Sequence, residues 1–121
     1  MSYLTGMVTA VPTANRQAYI DHLATAWPLL RKHGARRLVE NWGVDVPEGK
    51  RTDFRRAVAA TEDESIVFTW VEWADKAAAD RAWMTMRDDP EMATMQMPFD
   101  ASRMIFGGFE KIFDSVDVQG E

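Results

Sequence analysis

The sequence predicts a single α+β domain in which an antiparallel sheet carries two main helices on one face, the ferredoxin-like split βαβ arrangement. Segments with the two-residue periodicity of strands alternate with two longer segments that have the periodicity of helices. The 121 residues suit one domain with one core, residues 1–121. Hydrophobic residues make up 46% and charged residues 27%, a composition typical of globular proteins that fold unaided.

The first half of the chain predicts a strand, a helix and a second strand. Residues 3–11 carry β-branched and aromatic side chains without charge, which is typical of a strand. Apolar residues then recur every three or four positions between Thr13, a candidate N-cap, and Gly34, a candidate helix stop. An interior proline removes a backbone hydrogen bond, so we expect this helix to kink or break at Pro28. Residues 36–44 have a period of two and predict the next strand.

The second half predicts a hairpin, a helix and a last strand. Two strand-like segments, residues 54–60 and 65–74, flank a polar turn and predict the hairpin. Asp75 is a candidate N-cap for the second main helix, and a further short helix is predicted at residues 92–97. Residues 103–113 are mostly apolar and predict the last strand, with a bulge or a close backbone approach at the glycine pair in its middle.

The predicted strands carry more large aromatic residues than two helices can bury. These residues are Trp42, Trp70, Trp73, Phe106 and Phe109. A large apolar sheet face that is left uncovered usually marks an interface. The sequence therefore predicts a homodimer that forms through the sheet face.

Composition and charge narrow the classes of function. The chain has no cysteine, which excludes disulfides and thiol chemistry, and only two histidines, so we expect neither a metal nor a cofactor. The net charge of -5 argues against binding to nucleic acid, although residues 31–56 are locally basic. The start does not resemble a secretory signal, and no apolar stretch approaches the roughly 20 residues that span a bilayer. A cytoplasmic protein without membrane contact is the expectation.

Two carboxylates are paired with indoles at strand spacing. Glu40 and Trp42 are two positions apart on one predicted strand, so they share a face. Trp70 and Glu72 have the same spacing on another strand. A carboxyl group beside an indole can have a raised pKa and act as an acid or a base. In the alternative interpretation, each carboxylate reaches water at a strand end while the indole packs.

Two further features have both a structural and a functional interpretation. Arg103 could bind an anion or could pair with Asp100 across a loop. Six of the eight methionines lie between Met84 and Met104, where they could fill gaps in the core or form an adaptable binding surface. His22 is predicted on the surface of the first helix. No residue is assigned a catalytic role from the sequence.

Six short segments resemble the YbaA-like family of uncharacterised bacterial proteins. They are D-V-P-E-G-K at residues 45–50, R-A-V at 56–58, V-F-T-W at 67–70, D-P-E-M at 89–92, M-P-F-D at 97–100 and R-M-I-F-G-G-F at 103–109. The resemblance extends over nearly the whole chain and implies a dimeric α/β-barrel fold. It implies no activity and no catalytic residues, because the family has no established reaction.

The leading hypothesis is a protein that binds a small organic molecule in an aromatic-lined cleft between helices and sheet. The candidate contacts are Glu40, Trp42, Trp70, Glu72 and Arg103. A cofactor-independent monooxygenase or isomerase is the second hypothesis, and it rests on analogy of fold. A structural or regulatory dimer without a ligand is the third. RNA binding is the least favoured, because the chain is acidic and has no RNA-binding motif.

Overall fold

The computed structural model describes residues 2–119. Its strands are β1 (Tyr3–Pro12), β2 (Arg37–Trp42), β3 (Glu64–Trp73) and β4 (Ile105–Glu110). Its helices are α1 (Arg16–Lys32), α2 (Phe54–Ala57), α3 (Lys76–Arg87), α4 (Pro90–Ala93) and α5 (Ser115–Gln119). The strands are antiparallel in the order β2-β3-β1-β4, with α1 and α3 on one face, so the predicted α+β, ferredoxin-like fold is confirmed. Within residues 2–119, no helix is long and apolar enough to cross a membrane.

The face of the sheet that the helices cover, here called the inner face, carries much of the core. Trp73 and Val71 of β3 are each 2% exposed and pack with Ala79 and Ala82 of α3. Trp27 of α1 packs against the same cluster. Burial of these side chains attaches both main helices to the sheet, because the removal of apolar surface from water is the dominant favourable term in folding.

The register of the strands decides which other residues share the inner face. Glu40 of β2 lies opposite Thr69 of β3, which in turn lies opposite Met7 of β1. Directly paired residues point to the same side of a sheet, so all three project toward the helices. The opposite side, here called the outer face, carries the alternate residues of β3, among them Phe68 and Trp70.

Local signals set several element ends as predicted. Asp75 accepts a hydrogen bond from the Ala78 N–H at 2.8 Å and caps α3. Gly34 follows α1 with a φ of +109°, a conformation that favours glycine. A Cβ at Gly108 would collide with Tyr3 Oη, which is the close approach predicted for the last strand.

The strand predicted at residues 54–60 is wrong. Residues Phe54–Ala57 form the helical turn α2, and Asp53 caps this turn by accepting a hydrogen bond from the Arg56 N–H at 2.7 Å. The cap satisfies a backbone donor that would otherwise lack a helical partner, and this local bond outweighs the strand preference of the apolar residues. Within the described residues, the predicted extra hairpin arm is therefore not part of the sheet.

Two predictions near prolines also differ from the structure. The short helix predicted at residues 92–97 is wrong, because Asp89 caps the turn α4 at Pro90–Ala93 and proline suits the first helical position. The sequence predicted a kink or a break at Pro28, and helix α1 is continuous through this residue, so the break is absent. Pro28 and Ala24, whose carbonyl group loses its helical donor, are both exposed, so water can satisfy that carbonyl group.

The start of α1 and the length of β4 are further corrections. Thr13 does not cap α1, because its hydroxyl group pairs with the Ser65 hydroxyl at 2.7 Å. A 3-10 turn, Thr13–Asn15, separates β1 from α1. The last strand is shorter than predicted, since β4 covers Ile105–Glu110 of the predicted residues 103–113.

Candidate functional site

A cavity of about 210 Å³ lies between the inner face, the two main helices and the chain that follows α4. We call it the methionine cavity. Its methionines are Met7, Met86, Met92, Met95, Met97 and Met104. Its other apolar lining residues are Leu23, Ala26, Leu30, Leu38, Val71, Trp73, Trp83, Phe99 and Ala101. Its polar lining residues are Thr9, Tyr19, His22, Glu40 and Thr69, so no described lysine or arginine lines it.

One corner of the methionine cavity is polar and is built around Glu40. Tyr19 Oη of α1 donates a hydrogen bond to Glu40 Oε1 at 2.8 Å, and Thr69 Oγ1 of β3 donates to the same oxygen at 2.5 Å. We call Tyr19, Glu40 and Thr69 the polar corner. Burial raises the pKa of Glu40, although both hydrogen bonds act in the opposite direction. Burial, and next the charge of Glu40, raise the pKa of Tyr19, which therefore remains a hydrogen-bond donor at neutral pH.

The two carboxyl oxygens of Glu40 have different surroundings. Oε1 accepts both hydrogen bonds of the polar corner, whereas no described residue donates to Oε2. Every buried side-chain nitrogen or oxygen among the described residues has a hydrogen-bond partner, so Oε2 is not fully buried. Glu40 also lines a second cleft, beside Arg16 and Trp42. The carboxyl group thus stands between the methionine cavity and a route toward solvent.

Two further polar groups line the methionine cavity. Thr9 is 2% exposed, and its hydroxyl group makes no side-chain hydrogen bond to another described residue. His22 is half-buried, with its ring 6.3 Å from the Tyr19 ring and 6.5 Å from the Phe99 ring. Burial lowers the pKa of His22, so its imidazole is neutral near pH 7, with one nitrogen as a donor and the other as an acceptor.

Residues 89–104, here called the cover segment, close one side of the cavity. At the start of this segment, Asp89 is 7% exposed and accepts from Lys32 Nζ at 2.9 Å and from His33 Nε2 at 2.7 Å. The Lys32 ammonium first, and then His33, hold the pKa of Asp89 well below its usual range. In the middle of the segment, Asn15 Nδ2 donates to the Pro98 carbonyl oxygen at 3.1 Å. The cover segment is therefore attached to both ends of α1.

Arg103 fixes the other end of the cover segment. Its guanidinium group donates to both carboxylate oxygens of Glu64, at 2.8 and 2.6 Å, to Asp100 at 3.0 Å and to the Ala59 carbonyl oxygen at 2.8 Å. The hydrogen bonds from Arg103 are the largest cause that lowers the pKa of Glu64 to about 2. The pairing with Asp100 that the sequence allowed is present, and Arg103 joins β3 to the cover segment.

The structure distributes the predicted contact residues over several places. Glu40 lines the methionine cavity, and Arg103 anchors the cover segment. Trp42 lies on the inner face but beside the cavity, in the cleft that Glu40 also lines. Its indole packs 6.5 Å from the Tyr19 ring and lies 5.4 Å from the Arg16 guanidinium, a cation–π contact.

Trp70 and Glu72 belong to the outer face. Trp70 Nε1 donates to Glu72 Oε2 at 3.0 Å, and Arg37 donates to the same oxygen at 3.4 Å. The Trp70 ring meets the Phe68 ring edge-on at 5.8 Å. The two glutamate–tryptophan pairs have the same spacing in the sequence, but the register of the sheet places them on opposite faces.

Sequence reasoning missed Tyr19, Thr69 and Thr9 as residues of the site. Tyr19 belongs to the apolar stripe that predicts α1, and both threonines lie within predicted strands, so nothing distinguished them from core residues. The signal that could have found the site is the cluster of methionines, for which an adaptable binding surface was one of two interpretations. Among residues 2–119, no group of three histidines or acidic residues is placed to hold a metal ion.

Comparisons with known proteins agree with this architecture. A family model described as "Protein of unknown function (DUF1428)" matches residues 2–101. The chain is 49% identical over 116 residues to "Uncharacterized protein YbaA" of Escherichia coli K12. The alignment covers 94% of this chain and 99% of that protein. It is similar in structure to SnoaB, a cofactor-independent oxygenase from Streptomyces nogalater, with a TM-score of 0.58 at 14% identity over 93% of this chain and 95% of SnoaB.

A second solved structure is described as a dimeric ferredoxin-like protein of unknown function from Jannaschia sp. CCS1. It matches with a TM-score of 0.51 at 17% identity over 90% of this chain and 99% of that chain. Both structural matches have low sequence identity, so what they establish is the ferredoxin-like fold.

Proposed function

This chain belongs to the DUF1428 family of proteins of unknown function, and we propose that it binds one small, largely apolar organic molecule in the methionine cavity. The resemblance to YbaA-like proteins in the sequence is thereby confirmed. In this proposal Glu40 is the polar contact, and its carboxylate meets the most acidic hydrogen of the ligand, such as that of a hydroxyl group or of a carbon next to a carbonyl group. The rest of the ligand contacts the methionines.

The observation that carries the proposal is an apolar cavity with one polar corner and only two further polar groups, Thr9 and His22, among its described lining residues. Binding sites for small molecules are typically apolar pockets in which a few placed polar groups fix the orientation of the ligand. The cavity of about 210 Å³ is smaller than the roughly 300–1,000 Å³ that is typical for drug-sized ligands, so the ligand is small. Because no described lysine or arginine lines the cavity, an anionic ligand would have no charged partner there.

A route into the cavity supports the same proposal. His22, Met95 and Met97 line both the methionine cavity and an open surface cleft beside Gln96 and Pro98. Methionine side chains are unbranched and adapt their shape, so these residues suit the mouth of a site that accepts a ligand.

Filling the cavity tests this proposal. Ala26 is 8% exposed and lines the cavity, so Ala26→Phe should occupy it. Ala24 lies on the same helix but is exposed and does not line the cavity, so Ala24→Phe is the matched control. Calorimetric titration with 2-naphthol should show binding to the unaltered protein and to Ala24→Phe, and an affinity at least about tenfold lower for Ala26→Phe. Equal affinity in all three proteins, or no binding to any, would refute the proposal.

We further propose that the outer face pairs with the outer face of a second copy. Phe68 is 45% exposed, Ile105 44% and Phe109 56%, and the register places all three on this face. Phe68 also contacts the rings of Phe54 and Trp70, so the exposed aromatic surface is continuous. Contiguous apolar surface of this kind usually marks an interface, and the Jannaschia protein of the same fold is described as dimeric.

A charge placed on the outer face tests this pairing. Phe68→Glu should convert a dimer into a monomer, because an unpaired carboxylate would be buried in the interface. Ile112→Glu is the control, since Ile112 is 90% exposed and follows β4. Light scattering coupled to size-exclusion chromatography should report a dimer for the unaltered protein and for Ile112→Glu. A monomer for the unaltered protein would contradict the pairing.

A second candidate function is cofactor-independent catalysis in the same cavity. The specific observation in its favour is Glu40, a carboxyl group whose pKa is raised by burial and which lines the cavity. SnoaB, which shares the fold, is described as a cofactor-independent oxygenase, so the scaffold supports chemistry of this kind in at least one protein. A monooxygenase and an isomerase both remain candidates within this class.

A further inference from the structure

We propose that Glu40 is a catalytic base that removes a proton from the carbon next to the carbonyl group of a small apolar ketone held in the methionine cavity. The inference rests on the proposed binding function and names the substrate class of that same site. The observation behind it is the asymmetry of the Glu40 carboxyl group. Tyr19 and Thr69 both donate to Oε1, whereas Oε2 has no donor among the described residues.

This asymmetry suits a base. The two hydroxyl groups hold the carboxylate in one orientation through Oε1, so Tyr19 and Thr69 are positioning residues. Oε2 keeps its lone pairs for a proton of the ligand. Glu40 also lines the cleft beside Arg16 and Trp42, which gives a proton taken from the ligand a path to exchange with water.

The cavity also contains hydrogen-bond donors for the charge that proton removal creates. The Thr9 hydroxyl makes no side-chain hydrogen bond to another described residue, and the neutral His22 imidazole keeps one N–H group. Donors that are already in place where negative charge develops stabilise the transition state. The base and the donors belong to three elements, β2, β1 and α1, that enclose the same cavity.

The reaction balances without a co-reactant. The Glu40 carboxylate takes the proton, the C–H bond breaks, its electron pair forms the enolate C=C bond, and the carbonyl π pair moves onto oxygen. Return of the proton from Glu40 to another carbon of an unsaturated enolate gives the isomer and regenerates the carboxylate. If the proton first exchanges with deuterated water, the ketone recovers a deuteron in place of its hydrogen.

The test measures hydrogen–deuterium exchange of 2-tetralone, a small bicyclic ketone, in deuterated buffer. Proton NMR monitors the exchange. The unaltered protein should speed the loss of the proton signal at carbon 1 above the buffer rate. Glu40→Gln should lower that acceleration by about 100-fold or more, because a positioned base contributes about 10²–10⁴-fold. Glutamine retains an oxygen that can accept from Tyr19 and Thr69, so the fold should persist. Glu62→Gln, an exposed carboxyl group in a turn, is the matched control and should exchange as the unaltered protein does.

The pH dependence of the exchange rate tests the roles of Glu40 as the base and of Tyr19 as a positioning residue. The charged or titratable groups around Glu40 are Tyr19 and His22 of α1 and Arg16 in the adjoining cleft. The exchange rate should rise with pH as Glu40 ionises, with a midpoint above the ordinary glutamate pKa. Tyr19→Phe removes a hydrogen bond that lowers the pKa of Glu40, so it should move the midpoint to higher pH.

Calorimetric titration with 2-tetralone distinguishes the two possible failures. Binding of the ketone with exchange at the buffer rate would overturn the catalytic inference and leave the binding function intact. Failure of the ketone and of 2-naphthol to bind would overturn both. Binding to Glu40→Gln together with loss of exchange would support both, because the variant would keep the site and lose the base.

Discussion

Glu40 and Glu64 are two carboxyl groups of the same sheet that are largely removed from solvent, and they differ in their hydrogen-bond partners. Glu64 at the start of β3 is held by the Arg103 guanidinium through both oxygens, and its pKa falls to about 2. Glu40 in β2 has two hydroxyl donors on one oxygen, and burial raises its pKa. A cation stabilises the ionised form of the first group, whereas the second retains an oxygen for another partner.

This difference separates a carboxylate that holds two parts of the fold together from one that lines a cavity. The pair formed by Glu64 and Arg103 attaches the cover segment to β3 and engages both carboxylate oxygens. The polar corner around Glu40 faces a cavity instead of a cation. Burial alone therefore says little about the role of a carboxyl group, and its partners decide that role.

The largest expected effect on stability comes from removing the cation. Arg103→Met should leave the Glu64 carboxylate buried without a cationic partner and should detach the cover segment from β3. The melting temperature should therefore fall by roughly 5 °C or more. Calorimetric melting at pH 7 measures the change. Arg36→Met, at an exposed position without a side-chain ion pair in the described residues, should melt within about 2 °C of the unaltered protein. An equal fall in both variants would show that the ion pair between Arg103 and Glu64 does not contribute more to stability than an exposed arginine does.

A smaller effect should distinguish the two glutamates directly. Glu64→Gln removes the negative charge that pairs with Arg103, and it should lower the melting temperature by about 4 °C if the loss reaches 1 kcal/mol. Glu40→Gln removes a carboxyl group whose ionisation burial disfavours, so it should leave the melting temperature within about 2 °C or raise it. The comparison fails if Glu40→Gln destabilises the protein as much as Glu64→Gln does at pH 7.

The smallest effect is the dependence of the free energy of unfolding on pH. Its sign should be opposite for Glu64 and Glu40. The pKa of Glu64 is lowered from 4.5 to about 2, so its contribution to the free energy of unfolding is complete above pH 4.5 and is lost as the pH falls toward 2. The pKa of Glu40 is raised above 4.5, so the unfolded chain ionises first and stability is lost as the pH rises above 4.5.

Urea unfolding of each glutamine variant beside the unaltered protein, between pH 3 and pH 8, measures this dependence. The stability advantage of the unaltered protein over Glu64→Gln should shrink toward pH 3. Its stability relative to Glu40→Gln should fall as the pH rises from about 4.5. Parallel curves for the two variants would contradict the assignment of opposite shifts.

Much of the architecture could be predicted from local patterns. The cap at Asp75 and the stop at Gly34 depend on neighbouring residues, and the structure contains both. The glycine pair also signalled the close approach at Gly108, although the residue that approaches it, Tyr3, is distant in sequence. The prediction of a strand at residues 54–60 failed because the cap formed by Asp53 decides the local conformation there. Competing local signals of this kind are difficult to rank without the tertiary contacts.

The candidate site was less predictable than the fold. Glu40 and Glu72 each stand two positions from a tryptophan, and periodicity cannot tell which side of a sheet will face the helices. The register places Glu40 inside and Glu72 outside. Tyr19, which donates to Glu40 across 21 positions of sequence, could not be assigned to the site from the sequence alone.

By itself the sequence determined the α+β class, the two main helices, the acidic charge and the absence of cysteine chemistry, because composition and periodicity act over short distances along the chain. Only the tertiary structure decided which carboxyl group lines a cavity and which meets a cation. That outcome depends on strand register and on contacts between residues far apart in sequence, and no local pattern encodes either of them.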